Sequence, residues 1–209
     1  MKDSDINKKL ACELITWDHF YALCQKLSSL ILENNYRPDV IVAIARGGYA
    51  PARILADYLG VMDLISIRIE HYRGTHKEPR AVIKTSLISD LDQQRILIVD
   101  DVSDTGDTFR AATQHVEQHA IPKMIKTAAI HHKVVSSYVP DFYANKVTQW
   151  RWIIYPWAVI EDLTSLIKSM ESRPESLEEI ATRLEQDYGI RLSTPIILEV
   201  ITRIEQKIW

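Results

Sequence analysis

Two kinds of apolar pattern divide most of the chain into strands and helices. Uninterrupted apolar runs at residues 40–44 and 96–99 predict strands that are buried on both faces, because helices cover both sides of such strands. An alternating run at residues 64–69 and an apolar run at residues 124–130 predict two further strands. Between these runs, apolar residues recur at helical spacing. A strand, a loop and a helix in succession are typical of parallel βαβ units, so the pattern indicates an α/β fold.

Capping residues and apolar spacing predict the helices of this fold. Thr16 is a typical N-cap, and a helix from about Pro51 to Leu59 ends at Gly60. A further helix starts near Thr108, directly after a short turn. The apolar faces of the first and the last of these helices are formed by Phe20, Leu23, Leu27, Leu30 and Ile31, and by Phe109, Ala112 and Val116.

Residues 161–209 have the pattern of short amphipathic helices. Ser176 and Glu179 form a capping box, Gly189 ends that helix, and Thr194 and Pro195 begin another. Helices this short bury their apolar faces on the rest of the protein or on a second subunit. We therefore expect a domain of residues 1–160, followed by a C-terminal helical appendage of residues 161–209.

Composition and charge argue against several classes of protein. The chain has 209 residues, of which 46% are hydrophobic and 25% charged, as in a globular protein with a sizeable core. The net charge of −3 gives no broad basic field, so we expect no nucleic-acid partner. The two cysteines form no disulfide framework, the N-terminus has no apolar signal region, and no apolar run is long enough to span a membrane. We therefore expect a cytoplasmic protein with no membrane partner.

A strand that ends in two acids and leads directly into a helix occupies residues 96–108. The N–H groups of residues 105–108 have no partner within that helix, and the helix dipole makes this end positive, so a phosphate fits there. Asp100 and Asp101 are expected beside it, where carboxylates can accept hydrogen bonds from sugar hydroxyls or hold a hydrated Mg²⁺. The alternative is purely structural: Asp104 is an N-cap, and the two acids only end the strand.

Two further segments suit a bound anion. Arg46, Gly47 and Gly48 follow the first buried strand. Glycines let the backbone approach a ligand closely and arginine binds anions, although a plain tight turn has the same pattern. Residues 70–80 are polar and basic without an apolar period, which predicts a loop or hairpin.

The run at residues 96–108 closely resembles the phosphoribosyl-diphosphate (PRPP) binding motif of type I phosphoribosyltransferases: an apolar strand, two acids, two more residues, and Asp-Thr-Gly-x-Thr. The resemblance covers roughly residues 36–160. It implies the fold of that family, a twisted, mainly parallel sheet with helices on both faces and a small base-binding hood. The C-terminal helical appendage lies outside it.

This resemblance also implies roles for individual residues. Asp100 and Asp101 would bind the ribose hydroxyls and, through water, Mg²⁺. Asp104 would take a proton from the base. The 5′-phosphate would be held by Ser103, Asp104, Thr105, Gly106, Asp107 and Thr108, and the pyrophosphate by Arg46, Gly47 and Gly48. A flexible loop closes over PRPP in this family, and its candidates here are Tyr72, Arg73, Lys77 and Arg80.

The segment after residue 132 narrows the resemblance. A lysine after the strand, then Pro-Asp-Phe-Tyr, then Trp-Ile-x-x-Pro-Trp, is similar to the small xanthine–guanine and archaeal-type 6-oxopurine phosphoribosyltransferases. In those enzymes the matching lysine (Lys133) donates to the purine 6-oxygen. The matching aromatic residue (Trp152) stacks on the base, and the backbone of the next residue (Ile153) contacts the base edge.

The implied reaction joins a purine base to PRPP, giving a nucleoside 5′-monophosphate and pyrophosphate, with Mg²⁺ as cofactor and a homodimer or homotetramer as the assembly. One feature departs from the family. An acid directly follows Pro-Trp in the xanthine–guanine enzymes, whereas Ala158 stands here, with Glu161 and Asp162 further on. The choice among guanine, xanthine and hypoxanthine therefore stays open. Two alternatives are an adenine phosphoribosyltransferase and a PRPP-sensing regulator without catalysis.

Overall fold

The computed structural model describes residues 10–72, 80–85, 89–170, 172, 174 and 176–208. The chain forms two compact units: a larger one, Tyr21–Gln149, and a smaller one that joins Met1–Phe20 to Trp150–Trp209. The strands are β1 (Cys12–Leu14), β2 (Val40–Ala45), β3 (Asp63–Tyr72), β4 (Arg80–Thr85), β5 (Arg95–Ser103), β6 (Met124–Lys133), β7 (Phe142–Val147) and β8 (Trp152–Ile154). The helices are α1 (Trp17–Glu33), α2 (Tyr49–Leu59), α3 (Asp107–His119), α4 (Val159–Lys168), α5 (Leu177–Tyr188) and α6 (Thr194–Glu205).

A six-stranded sheet in the order β4-β3-β2-β5-β6-β7 forms the larger unit. Its neighbouring strands run parallel, apart from the antiparallel pair β3–β4. Every residue of β2 is buried, as the uninterrupted apolar run predicts for a strand covered on both faces. From α3, Phe109, Ala112 and Val116 pack into the core beneath β2 and β5. The predicted α/β fold with a mainly parallel sheet is confirmed.

Local signals placed most element boundaries correctly. The Thr16 hydroxyl accepts from the backbone N–H of His19 at 3.2 Å, as expected of an N-cap. Gly60 ends α2 with a φ of 68°, a conformation that glycine adopts at little cost. The antiparallel pair β3–β4 covers both ends of the 70–80 stretch, in agreement with the hairpin that was one of the two alternatives there. β7 is an edge strand that was not predicted, because its polar Asn145 and Lys146 hid its alternating burial.

The smaller unit combines a two-stranded parallel sheet with the three tail helices. β1 pairs with β8, so that Cys12 lies opposite Trp152. Its core includes Ile154 of β8, together with Leu163, Leu184 and Val200 from α4, α5 and α6. The tail helices thus bury their apolar faces on one another and on this short sheet. The domain boundary after residue 160 stays a prediction, because the compact units divide near residues 20 and 150 instead.

Among the residues that the structure describes, none forms a helix that is both long and apolar enough to cross a bilayer.

Candidate active site

The predicted binding segments meet at one edge of the large sheet. β5 lies between β2 and β6, and all three strands are parallel, so their carboxyl ends share an edge. The register places Ser103 opposite His132, one residue before Lys133. The glycine loop after β2, the loop after β5 and the end of β6 therefore begin side by side. Open α/β sheets bind ligands at this edge.

Gly47 lies directly against the Asp101 carboxyl group. A Cβ atom at this position would come within 2.6 Å of Asp101 Cγ and 2.7 Å of its Oδ1, so no side chain fits without displacing the acid. The turn is closed by Gly48, whose N–H donates to the Ile44 carbonyl at 2.8 Å. The glycine loop after β2 is thus in contact with the second of the two acids of β5.

Asp100 and Asp101 form a closely spaced pair of acids. Asp100 is buried, and its carboxyl group accepts from the Asp101 N–H at 3.0 Å and from the Thr108 hydroxyl at 3.4 Å. Burial, and then the neighbouring charge of Asp101, raise the pKa of Asp100 well above its usual value. A cation or the hydroxyls of a sugar would stabilise the ionised pair.

The donor set fits Mg²⁺ held partly by water and substrate. In the described part of the chain, no group of three or more His, Cys, Asp or Glu side chains could hold a metal ion. Two carboxylates alone suit Mg²⁺, which commonly takes one or two protein carboxylates and completes its shell with water and phosphate oxygens. Asp100 and Asp101 are the residues that would hold it.

The loop after β5, residues 103–108, is named the phosphate loop here. Gly106 has a φ of 91° and stands at the N-cap of α3, where no side chain caps the helix. The Thr105 hydroxyl donates to Asp107 at 2.8 Å and accepts from the Asp107 N–H at 3.3 Å. The positive end of the α3 dipole thus opens onto the loop, as expected of an anion site.

Ser103 differs from the other members of this loop. Its hydroxyl is fully buried, 2.9 Å from the Ser136 hydroxyl and 2.9 Å from the Tyr138 carbonyl oxygen. The side chain is therefore engaged within the protein, and its contact with phosphate stays a prediction. Sequence reasoning did not find the partner segment, because Ser136 and Tyr138 carry no motif and reach the loop only through the fold.

Asp104 and Lys133 form an ion pair. Lys133 Nζ lies 3.0 Å from Asp104 Oδ1, the lysine side chain is 3% exposed, and the aspartate side chain is 37% exposed. A buried ammonium group is costly unless it is paired, so this contact fixes the position of both side chains. The sequence suggested a role for each residue but not their contact, which follows from the register of β5 and β6.

Trp152 and Ile153 lie in the smaller unit, on β8. The Trp152 side chain is 40% exposed, its backbone N–H donates to the Ala11 carbonyl at 2.8 Å, and its indole N–H donates to the Asp162 carboxylate. Burial raises the pKa of Asp162 from 3.8 to about 6, with the hydrogen bond from Trp152 opposing the rise and the charge of Glu161 adding to it. Ile153 is buried and pairs with Glu13 of β1.

The side chains of all four closing-loop candidates lie outside the described residues. Arg73 and Lys77 lie outside the described residues. The backbones of Tyr72 and Arg80 pair with each other at the ends of β3 and β4, while their side chains lie outside the description.

Comparisons with known proteins agree with this geometry. The phosphoribosyl transferase domain family matches residues 13–162. A xanthine-guanine phosphoribosyltransferase from Gluconobacter oxydans (strain 621H) is 31% identical over 146 residues, which are 68% of this chain and 82% of that protein. The crystal structure of a purine phosphoribosyltransferase from Pyrococcus horikoshii Ot3 is 34% identical, has a TM-score of 0.63, and covers 71% of this chain and 94% of its own.

A more distant structure shares the fold. The Helicobacter pylori xanthine-guanine-hypoxanthine phosphoribosyltransferase is 22% identical, with a TM-score of 0.63, and covers 76% of this chain and 99% of its own. The family match includes both acids of β5, the phosphate loop and Lys133, and leaves residues 163–209 outside. The chain therefore belongs to the type I phosphoribosyltransferase family and is an enzyme of that family, and its named relatives above 30% identity are purine phosphoribosyltransferases.

Proposed function

We propose that this enzyme transfers the 5-phosphoribosyl group from PRPP to a 6-oxopurine, giving a nucleoside 5′-monophosphate and pyrophosphate. The observation that carries the proposal is the 3.0 Å ion pair between Lys133 and Asp104, a residue of the phosphate loop. The pair places the Lys133 ammonium group, which can donate to a carbonyl oxygen, next to the Asp104 carboxylate, which can accept from an N–H group. A 6-oxopurine presents both groups on neighbouring positions of one edge, as its 6-oxygen and its ring nitrogen N7.

Lys133 would recognise the purine base, and Asp104 would accept its proton. An ammonium group has three N–H donors, so Lys133 can contact Asp104 and the 6-oxygen at the same time. The pairing also fixes the Asp104 carboxylate beside Lys133, where it can accept a proton from the base. In the reaction, the base nitrogen forms a bond to C1 of the ribose, the bond from C1 to pyrophosphate breaks, and the proton of the base passes to Asp104.

The PRPP side of the reaction is assigned to the strand ends. Asp100 and Asp101 would bind the ribose hydroxyls, and their negative charge stabilises a sugar that becomes cation-like as pyrophosphate leaves. Residues 105–108 would bind the 5′-phosphate, and Arg46, Gly47 and Gly48 the pyrophosphate. When bound, Mg²⁺ supplies charge neutralisation for the leaving pyrophosphate. The contact of Gly47 with Asp101 supports this division, because it joins the two halves of one PRPP site.

Trp152 and Ile153 are proposed as base-binding residues on the strength of the family resemblance. The partial exposure of the Trp152 ring supports the assignment, since a ring that stacks on a ligand needs a free face. Ala158 cannot contact a purine 2-substituent as an acid would. Hypoxanthine, which has no 2-substituent, therefore suits this chain at least as well as guanine or xanthine.

The test is pyrophosphate release in the presence of PRPP and Mg²⁺ with hypoxanthine, guanine, xanthine and adenine in turn. Turnover with the 6-oxopurines and not with adenine supports the proposal. Turnover with adenine alone contradicts the role of Lys133 as donor to a 6-oxygen. PRPP binding without turnover of any base contradicts catalysis and indicates a regulator.

A further inference from the structure

Residues 136–138 follow Lys133 and lie against the phosphate loop. The Ser136 N–H donates to the Lys133 carbonyl at 2.9 Å, closing a tight turn that ties this segment to the end of β6. The Ser103 and Ser136 hydroxyls lie 2.9 Å apart, and each is 2.9 Å from the Tyr138 carbonyl oxygen. This small buried cluster joins the 136–138 segment to the start of the phosphate loop.

Ser137 holds one particular peptide group of the loop. Its backbone N–H donates to the Thr105 carbonyl at 3.1 Å, and its hydroxyl donates to the same carbonyl at 2.8 Å. In a trans peptide the carbonyl and the following N–H point in opposite directions. By fixing the Thr105 carbonyl, Ser137 therefore aims the Gly106 N–H away from itself. That N–H is one of the donors assigned to the 5′-phosphate.

Other contacts hold the segment in place. Tyr138 stacks on the buried ring of Phe109 in α3, with ring centroids 5.5 Å apart and an angle of 9° between the rings. Arg110 donates to the Ser137 hydroxyl, and also to its carbonyl at 3.4 Å. The Gly106 backbone lies so close that an added Cβ would be 2.8 Å from the Tyr138 nitrogen. The segment thus contacts the phosphate loop from several directions.

We infer that Ser136, Ser137 and Tyr138 are positioning residues: they orient the Gly106 peptide for the 5′-phosphate and fix the loop relative to Lys133. The inference rests on the proposed function, because it takes the phosphate loop as the 5′-phosphate site. Their effect is directional, since a peptide whose carbonyl is held by fewer hydrogen bonds can rotate its N–H away from the ligand. Binding at the pyrophosphate end does not depend on that peptide.

The test compares two ligands that each occupy one end of the site. Ribose 5-phosphate carries the 5′-phosphate, and pyrophosphate carries the leaving group. Ser137→Ala removes the hydroxyl bond to Thr105 and the hydroxyl acceptor of Arg110, and it keeps the backbone N–H bond to Thr105. Position 137 is exposed, so the substitution leaves the core intact. We expect its Kd for ribose 5-phosphate to rise about threefold to tenfold, the range of one neutral hydrogen bond, and its Kd for pyrophosphate to stay unchanged.

Two variants serve as controls. Ser137→Thr keeps a hydroxyl and should restore the affinity for ribose 5-phosphate. Ser29→Ala removes a serine hydroxyl bond to a backbone carbonyl, Gln25 at 3.1 Å, from an exposed position on α1, and should change neither Kd. The KM of Ser137→Ala for PRPP should rise while its kcat changes less, because the Gly106 peptide binds PRPP and is not one of the reacting groups.

The possible outcomes are distinct. Selective loss of ribose 5-phosphate affinity in Ser137→Ala, with rescue by threonine, supports the inference. An unchanged Kd, or an equal loss for both ligands, overturns it while the proposed function stands. If the wild-type enzyme binds neither PRPP nor ribose 5-phosphate, the proposed function fails, and the assignment of the 136–138 segment fails with it.

Discussion

The phosphate loop in the larger unit and Trp152 in the smaller unit are positioned by different kinds of structure. The loop continues a buried central strand, opens a helix, and is held laterally by residues 136–138. Trp152 begins a strand of three residues, and its indole N–H is held by Asp162. The loop must aim backbone N–H groups at a small anion, whereas a ring that stacks on a base tolerates small shifts. We therefore expect substitutions around the loop to have the larger effects.

The largest effect is expected at Asp104. Asp104→Asn keeps the size of the side chain but cannot accept a proton, so kcat should fall by about 10²- to 10⁴-fold, the usual contribution of a general base. The Kd for PRPP should change little, because the backbone of the loop is preserved. Steady-state kinetics and PRPP titration would measure the two quantities. A variant with an unchanged kcat would remove Asp104 from the mechanism.

A smaller effect is expected from Gly106→Ala. The φ of 91° strains any L-residue, and the added Cβ would lie 2.8 Å from the Tyr138 nitrogen, so the loop must shift. We expect the Kd for ribose 5-phosphate to rise by about tenfold, equivalent to about 1.4 kcal/mol.

Gly60→Ala is the matched control for that substitution. Gly60 also has a positive φ, of 68°, but nothing lies within 4 Å of an added Cβ. Gly60→Ala should lose about 1 kcal/mol of stability from backbone strain, and Gly106→Ala at least as much, because its Cβ also meets Tyr138; urea unfolding would measure both. Only Gly106→Ala should lose ligand affinity. Equal losses of ligand affinity in both variants would mean that backbone strain alone causes the loss, and would contradict a specific role of the Gly106 peptide.

Asp162→Leu probes the other region. It removes the acceptor for the Trp152 indole N–H, and we expect the KM for the purine base to rise about threefold while the KM for PRPP stays the same. Asp162→Asn keeps an acceptor oxygen and should behave like the wild type. A rise in the KM for PRPP as well as for the base would indicate that the substitution disturbs the protein beyond Trp152.

The smallest effect concerns the pH dependence of stability. Because the pKa of Asp162 is raised to about 6 in the folded state, from 3.8, the folded protein holds the proton more tightly than the unfolded chain. The contribution of Asp162 to the free energy of unfolding should therefore fall as pH rises from about 4 to 6. After allowance for partial exposure, we expect about 1 kcal/mol from this group.

Comparison with Asp162→Asn isolates that contribution, because the buried Asp100 acts in the same direction in both proteins. Asp39, whose pKa is lowered to about 2 by hydrogen bonds from Arg95, contributes only below this window, and Cys12, with a pKa of about 11, only above it. Urea unfolding from pH 4 to pH 7 should show the free energy of unfolding of the wild type falling relative to that of the asparagine variant. Burial lowers the pKa of His115 and of His132, and both histidines act alike in the two proteins. Parallel profiles would contradict the raised pKa of Asp162.

The same two regions show how far the sequence could be interpreted. The acids of β5, the turn at Gly106 and the start of α3 are close together in the chain, so local patterns were sufficient to predict them. The contact of Asp104 with Lys133 depends on the register between β5 and β6. Register follows from side-chain packing across the whole sheet, which no local pattern contains.

The smaller unit was harder to predict for a related reason. The capping box at Ser176 is local, and the structure confirms its bond to the Glu179 N–H at 3.1 Å. The pairing of β1 with β8 joins segments that are far apart in the chain. A strand of three residues has too short a pattern to predict which strand it pairs with. The hydrogen bond between Trp152 and Asp162 depends on that pairing and on the packing of α4.

The most direct test of the central claim, that Lys133 recognises the 6-oxygen beside Asp104, is the kcat/KM of Lys133→Met for hypoxanthine. Lys126→Met is its control, because Lys126 lies on the same strand and pairs with Asp141 at 2.7 Å. We predict that kcat/KM for hypoxanthine falls about 10- to 100-fold in Lys133→Met and stays near the wild-type value in Lys126→Met, with PRPP affinity kept in both. Wild-type turnover of hypoxanthine by a folded Lys133→Met enzyme would contradict the claim.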